Sequence, residues 1–190
     1  MTLVFGGAYQ GKLAFALEKL ASEIQEEIKE SDILDIPKLC GMAVDKNDQD
    51  LNYGVDAIIT EHSRGAKCIY GLDAYIRLMI ERGLDSDKWI ADFINDIGKE
   101  AATLTKSELV DNKSAKNESI DNRLAKNESM ENKRSVILPI VIMNDVSQGL
   151  VPMDADDRSF REANGRALIR LAESATNVYR VFCGIPSRIK

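Results

Sequence analysis

The stretch "GGAYQGKL" occupies residues 6–13, directly after the apolar run Met1–Phe5. Gly6, Gly11 and Lys12 stand at the spacing of the phosphate-binding pattern G-x-x-x-x-G-K-[ST], with Leu13 in the hydroxyl position. The apolar run reads as a buried strand that feeds a turn. From Lys12 onward, Leu13, Ala16, Leu17, Leu20, Ile24 and Ile28 recur at three- and four-residue steps, which predicts an amphipathic helix of about five turns. Strand, glycine turn and helix start form the context that separates a phosphate loop from a chance spacing. Glycines at 6, 7 and 11 let backbone N–H groups converge on a phosphate, and the helix adds its positive end. Gly6, Gly7, Ala8, Tyr9, Gln10, Gly11, Lys12 and Leu13 are therefore the candidate nucleotide-binding residues, with Lys12 as the catalytic charge on the terminal phosphates. A Ser or Thr would hold Mg²⁺ at position 13; Leu13 does not. The plainer alternative is a glycine-rich turn with a solvated lysine.

Composition sets the frame. The chain has 190 residues, 44% hydrophobic and 29% charged, which suits one soluble α/β domain over 1–190 with a real core. A net charge of −6 argues against a broad nucleic-acid-binding surface. Cys40, Cys68 and Cys183 are odd in number and scattered, which fits a reducing cytoplasm rather than a disulfide scaffold or a zinc site. No apolar run approaches the roughly 20 residues that span a bilayer, and the N-terminus lacks signal-peptide features. The expected location is cytoplasmic.

Further along, Ile33–Leu39 reads as a weak strand interrupted by Pro37, Asp45–Asn52 as a loop, and Ala57–Thr60 as a short strand. Leu72, Ile76, Met79 and Ile80 make a helical stripe stopped by Gly83. Trp89, Ile90, Phe93, Ile94 and Ile97 make another, with Asp85, Ser86 and Asp87 as candidate caps. Residues 103–134 differ: "DNKSAKNESI" (111–120) is followed by "DNRLAKNESM" (121–130), a ten-residue tandem repeat. It is polar and reads as a disordered insertion within the domain. Deleting residues 108–132 is expected to leave folding and nucleotide binding nearly unchanged, as thermal melts and calorimetry would show. Beyond it, Ile140–Met143 is a β-favouring run ending at Asn144 and Asp145. Asp154–Ala175 is helical, with Gly165 a candidate kink, Val178–Cys183 is a strand, and "GIPSRIK" is a tail. Strands that alternate with helices predict a P-loop-like α/β fold, a mainly parallel sheet with helices on both faces.

Asp145 lies at the carboxyl end of a strand, where open α/β sheets bind ligands. It is a candidate catalytic residue and the candidate Mg²⁺ ligand, directly or through water; the alternative is a turn cap. Asp154, Asp156 and Asp157 open the C-terminal helix, where carboxylates are favoured. Arg158, Arg161 and Arg166 on the same helix are candidate phosphate or subunit contacts, set against solvated charges and intrahelical pairs. His62 is the only histidine and reads as structural or solvated.

The stretch "NDVSQGLVPMDADDRSFREANGRALIRLAESATNVYRVFCGIPSRIK" resembles the C-terminal signature of the adenosylcobinamide kinase / adenosylcobinamide-phosphate guanylyltransferase family. The matching residues are Asn144, Gly149, Val151, Pro152, Arg158, Phe160, Arg161, Gly165, Arg166, Leu171, Ala172, Gly184, Ile185 and Lys190. The family also opens with a strand and G-G-x-x-x-G-K, as Gly6, Gly7, Gly11 and Lys12 do. The resemblance implies a P-loop fold, often a ring of subunits, and therefore a homo-oligomer. It implies phosphorylation of the aminopropanol hydroxyl of adenosylcobinamide by ATP or GTP with Mg²⁺. GTP-dependent guanylylation to adenosylcobinamide-GDP would follow. Asp145 takes the place of the family's glutamate. Three departures stand out: Leu13, the missing R-I-x-x-H context of the guanylylated histidine, and the missing D-C-L-T segment, near which lies "IYGLDAYIR". A nucleotide-binding relative that has lost one or both activities is the alternative.

Overall fold

The apolar N-terminal run forms β1 (Thr2–Gly6) at the interior of a six-stranded sheet in the computed structural model. Residues 1–23, 27–44, 59, 61–63, 65–99 and 139–190 are described. The other strands are β2 (Ile33–Asp35), β3 (Cys68–Tyr70), β4 (Ile140–Asn144), β5 (Asn177–Phe182) and β6 (Ile185–Arg188), in the order β2-β3-β4-β1-β5-β6. The first five pair in parallel and β6 runs antiparallel to β5. Strands covered on both faces read as continuous apolar runs, and "IVIM" of β4 is buried at all four positions.

Alternate residues of the inner strands feed two cores. Val4, Ile140, Ile142 and Val181 pack with Phe15, Ala16 and Leu20 of the first helical segment. Leu3, Ile69, Val141, Met143 and Val178 pack on the other face with α3 (Ile36–Val44), α4 (Leu72–Glu81), α5 (86–99) and α6 (Ala155–Ser174). Handedness explains the split. The step from β1 to β2 runs across the sheet opposite to the steps β2 to β3, β3 to β4 and β4 to β5, so right-handed crossovers place its helix on the opposite face. The α/β fold with a mainly parallel sheet and helices on both faces is thus the one expected.

Several elements differ from the sequence reading. The first helix is α1 (Lys12–Phe15), a π-helical turn Ala16–Leu20, and α2 (Ala21–Glu23). Phe15 and Ala16 are buried, then Leu20 and Ala21, a spacing of five that suits the wider π turn. Ile28 lies past this helix in a non-helical stretch. The strand expected over Ile33–Leu39 stops at Asp35 and α3 begins. Pro37 lacks the N–H that a ladder needs but is tolerated in a first helical turn. Asp35 Oδ1 caps that turn by accepting from Lys38 N at 3.1 Å. Ile59 is helical and buried, not strand, and residues 57, 58 and 60 lie outside the described residues. The expected loop Asp45–Asn52 and the repeat segment 103–134 also lie outside them. The tail contains β6, an edge strand that can carry Pro186.

The C-terminal helix agrees with its sequence signals. Asp154 accepts from Asp156 N and Asp157 N at 2.9 and 3.1 Å, and α6 runs unbroken through Gly165. Likewise Asp85 accepts from Lys88 N at 3.0 Å to start α5. Among the described residues no helix is long and apolar enough to cross a membrane.

The thiols give one prediction. Burial pushes Cys40 from 9.0 up to about 11 and Cys68 up to about 12, while Cys183 is exposed. The reactive species is the thiolate. Alkylation of the native protein at pH 8 is expected to modify Cys183 alone. Cys40 and Cys68 should react only after unfolding, as peptide mass mapping would show.

Candidate functional site

β1 and β4 are neighbours, yet the chain leaves them in opposite directions across opposite faces. The crevice beyond their carboxyl ends is the switch point where open α/β sheets take ligands. Residues 7–11 border it on one side and Asn144–Asp145 on the other. Asp145 N donates to Gly6 O at 2.8 Å and ties the two together.

Gly6 ends β1 at φ +157°, and a Cβ there would lie 2.2 Å from the Val181 carbonyl oxygen of β5. Only glycine lets the strand pass β5 this closely before the loop turns. The loop is also held from outside. Gly184 N donates to Gln10 O at 3.1 Å, and Cys183 N donates to Gln10 Oε1. Cys183 and Gly184, at φ +49° and +76°, are the two central residues of the β5–β6 hairpin. Positive φ at both positions is a type I′ turn, which explains a glycine at 184. Ala8 and Tyr9 at the tip of the loop are exposed.

Lys12 points inward and is only 5% exposed. Its Nζ donates to Gly7 O at 2.6 Å and to Asn144 Oδ1 at 2.8 Å. Burial lowers its pKa, and the negative charge of Asp73 opposes that shift. Asn144 in turn donates from N and Nδ2 to the two carboxylate oxygens of Asp73, at 3.0 and 2.8 Å. Asp73, in the first turn of α4, is buried. A chain Asp73–Asn144–Lys12 therefore runs from β3's exit to the loop of residues 7–11.

Sequence reasoning passed over Asp73. "IYGLDAYIR" lies near the place of the missing D-C-L-T segment without the family's carboxylate in position, and the structure brings Asp73, two residues past Gly71, to Asn144. The apolar triplet "CIY" before Gly71 was the available signal, since it marks a strand end with an acidic residue just beyond.

Leu13 packs against the apolar cluster under the first helix. Asp145 is at the crevice as expected, and its carboxylate caps the next turn. Oδ1 accepts from Ser147 N at 3.0 Å and from Ser147 Oγ, and Oδ2 accepts from Gln148 Nε2 at 3.3 Å. The arginines of α6 have partners within the chain. Arg158 Nη1 donates to Pro152 O and Met153 O at 3.2 and 2.5 Å. Arg161 donates to Leu150 O at 2.8 Å, to Gly149 O at 3.2 Å and to Ser147 O. Arg166 pairs with Asp87 at 2.9 Å. Both side chains of that pair are well exposed, so it contributes at most about 1 kcal/mol. His62 lines a cavity with Ser31, Asp32 and Gly65 beside the amino-terminal ends of β2 and β3, the other end of the sheet from the loop.

Arg161 thus fixes the loop that follows Asp145. Arg161→Ala is expected to raise amide exchange over residues 147–151 by about tenfold, since hydrogen bonds from a charged donor contribute about 1.5–3 kcal/mol. Deuterium uptake followed by mass spectrometry would check it.

Among the described residues no group of three or more His, Cys, Asp and Glu is placed to hold a metal ion. No curated protein matches the chain. A family model described as cobinamide kinase / cobinamide phosphate guanyltransferase matches residues 91–189, just over half of the chain. That span includes Asn144, Asp145, α6 and the hairpin that supports Gln10. With this match, and with the α/β fold around a strand–loop–helix start, the chain belongs to the cobinamide kinase / cobinamide phosphate guanyltransferase family.

Proposed function

We propose that this chain phosphorylates the aminopropanol hydroxyl of adenosylcobinamide with a nucleoside triphosphate and then guanylylates the phosphate with GTP. One observation carries the reading: the Lys12–Asn144 hydrogen bond, 2.8 Å long, couples the N-terminal phosphate loop to the family-matched segment. Phosphoryl transfer depends mainly on positioning and charge stabilisation. Lys12 and the loop N–H groups would hold the β- and γ-phosphates in the crevice. The acceptor hydroxyl would enter along the carboxyl ends of the strands.

Mg²⁺ usually takes one or two carboxylates together with substrate phosphates and water. Asp145, half-buried at the crevice, fits as that carboxylate if its turn contacts to Ser147 and Gln148 give way, or through water. When bound, the ion would neutralise charge developing on the transferring phosphoryl group. Exposed Leu150, Val151 and Met153, together with Phe182 and Ile185, support a homo-oligomer, and a cytoplasmic location fits the three free thiols.

Incubation with adenosylcobinamide, Mg²⁺ and ATP or GTP tests the reading. Phosphorylated and GDP-linked corrinoid are the expected products, and absence of both sinks it. Leu13, half-buried against the apolar cluster and without a hydroxyl for a metal ion, favours a second reading, a nucleotide-binding relative without turnover. That reading expects ATP or GTP affinity with no corrinoid product, and turnover removes it.

A further inference from the structure

A carboxylate is rarely buried without partners, because desolvation costs several kcal/mol. Asp73 is buried, and its two oxygens meet Asn144 N and Nδ2 at 3.0 and 2.8 Å. A carboxylate only accepts hydrogen bonds, whereas a side-chain amide has one accepting end and one donating end. Asp73 therefore selects one of the two orientations of the Asn144 amide. Nδ2 must face Asp73, so Oδ1 is left to face Lys12. The ammonium has three donors, and Asn144 Oδ1 and Gly7 O take two of them. One N–H is left for a phosphate oxygen.

We propose that Asp73 is a positioning residue for phosphate recognition: by fixing the amide of Asn144 it holds Lys12 ordered before the nucleotide arrives. The inference rests on the phosphate-loop reading of residues 6–12. Lysine carries large rotamer entropy, and ordering it in advance removes that cost from binding. The saving corresponds to about tenfold in Kd.

An exchange of the two side chains tests this. In Asp73→Asn an amide faces an amide, so the Asn144 side chain can flip and turn its nitrogen toward Lys12. In Asn144→Asp two carboxylates face each other. In the double variant the amide at position 73 accepts from the main-chain N–H of 144 and donates to the new carboxylate, which also accepts from Lys12. Every donor again meets an acceptor, with net charge unchanged.

Asp73→Asn is expected to weaken ATP and GTP binding about tenfold by calorimetry. The nitrogen-15 signal of the Lys12 ammonium is expected to be sharp in the native chain, where Gly7 O and Asn144 Oδ1 hold the group, and to broaden in this variant. The double variant should bring the signal back and restore affinity to within about threefold of native. A native-like Asp73→Asn, or a double variant no better than the single, overturns the proposal. The ammonium signal needs no nucleotide, so a chain that binds neither ATP nor GTP would sink the proposed function and still decide the role of Asp73. Should Asp73→Asn not fold, Asn144→Ala removes the same link and must show the same broadening and loss, or the proposal falls.

Discussion

Lys12→Ala is expected to weaken ATP and GTP binding by about 100-fold while the protein stays folded. A hydrogen bond from a charged donor contributes about 1.5–3 kcal/mol, and a desolvated site raises the value of the charge itself. The effect on stability is smaller because two contributions oppose. The substitution removes charge-assisted bonds to Gly7 O and Asn144 Oδ1, each about 1.5–3 kcal/mol, against a desolvation penalty of several kcal/mol for a buried ion. It also removes a buried ammonium whose pKa burial has already lowered, which relieves a desolvation cost. The net change should lie within about 1 kcal/mol, or a few degrees in Tm for a chain of this size. Calorimetric titration with each nucleotide, beside a thermal melt, separates the two effects. Unchanged affinity in a folded variant would remove the loop from nucleotide binding altogether.

The contrast between Lys12 and Asp73 shows what a single sequence can carry. The loop was legible because its signals are local: a strand, glycines and a lysine within 13 residues. The same holds for α6, whose cap Asp154 and first-turn carboxylates lie next to one another in the chain. β4 was legible because an inner strand needs apolar side chains on both faces, and "IVIM" offers nothing else. What escaped depends on distance along the chain. Asp73 meets Asn144 across 71 positions, and Lys12 meets it across 132. No spacing rule reports such a pairing.

Short elements escaped for another reason. β3 has three residues, too few for a period to show, and exists because it pairs with β2 and β4; β2 starts at Ile33 as expected but ends at Asp35 rather than Leu39. β6 looked like a tail because Pro186 and Ser187 are poor strand formers. It is held by pairing with β5 across a two-residue turn. Asp145 and Arg161 stand out in the sequence as candidates, but their partners, a serine turn and three loop carbonyls, came only with the fold. Sequence therefore pointed to the strand ends around the crevice, and the buried carboxylate of Asp73 beside Asn144 came only with the fold.

Gly6→Ala is expected to be the most damaging glycine-to-alanine substitution among the described glycines. The new Cβ would lie 2.2 Å from the Val181 carbonyl oxygen and 3.3 Å from its carbon, far inside van der Waals contact. Both atoms are backbone in a paired strand, so no side chain can swing away. β1 lies between β4 and β5, so moving its end from β5 pushes it toward β4 and disturbs the Asp145 N–H bond to Gly6 O. Overpacking costs about 1–3 kcal/mol, and a positive φ adds about 1–2 for a residue with a Cβ. The sum, about 2–5 kcal/mol, is a large share of an ordinary domain's stability. It should lower Tm by roughly 10 °C, and nucleotide affinity should fall with it, because the loop starts at this residue. Gly165→Ala is the matched control. A Cβ there meets nothing within 4 Å and the site lies in the middle of α6, so alanine should raise stability by about 0.5–1 kcal/mol. Paired thermal melts and nucleotide titrations measure both. A Gly6→Ala variant that melts within about 3 °C of native and binds nucleotide equally well would show that β1 and β5 do not meet as closely as the geometry requires.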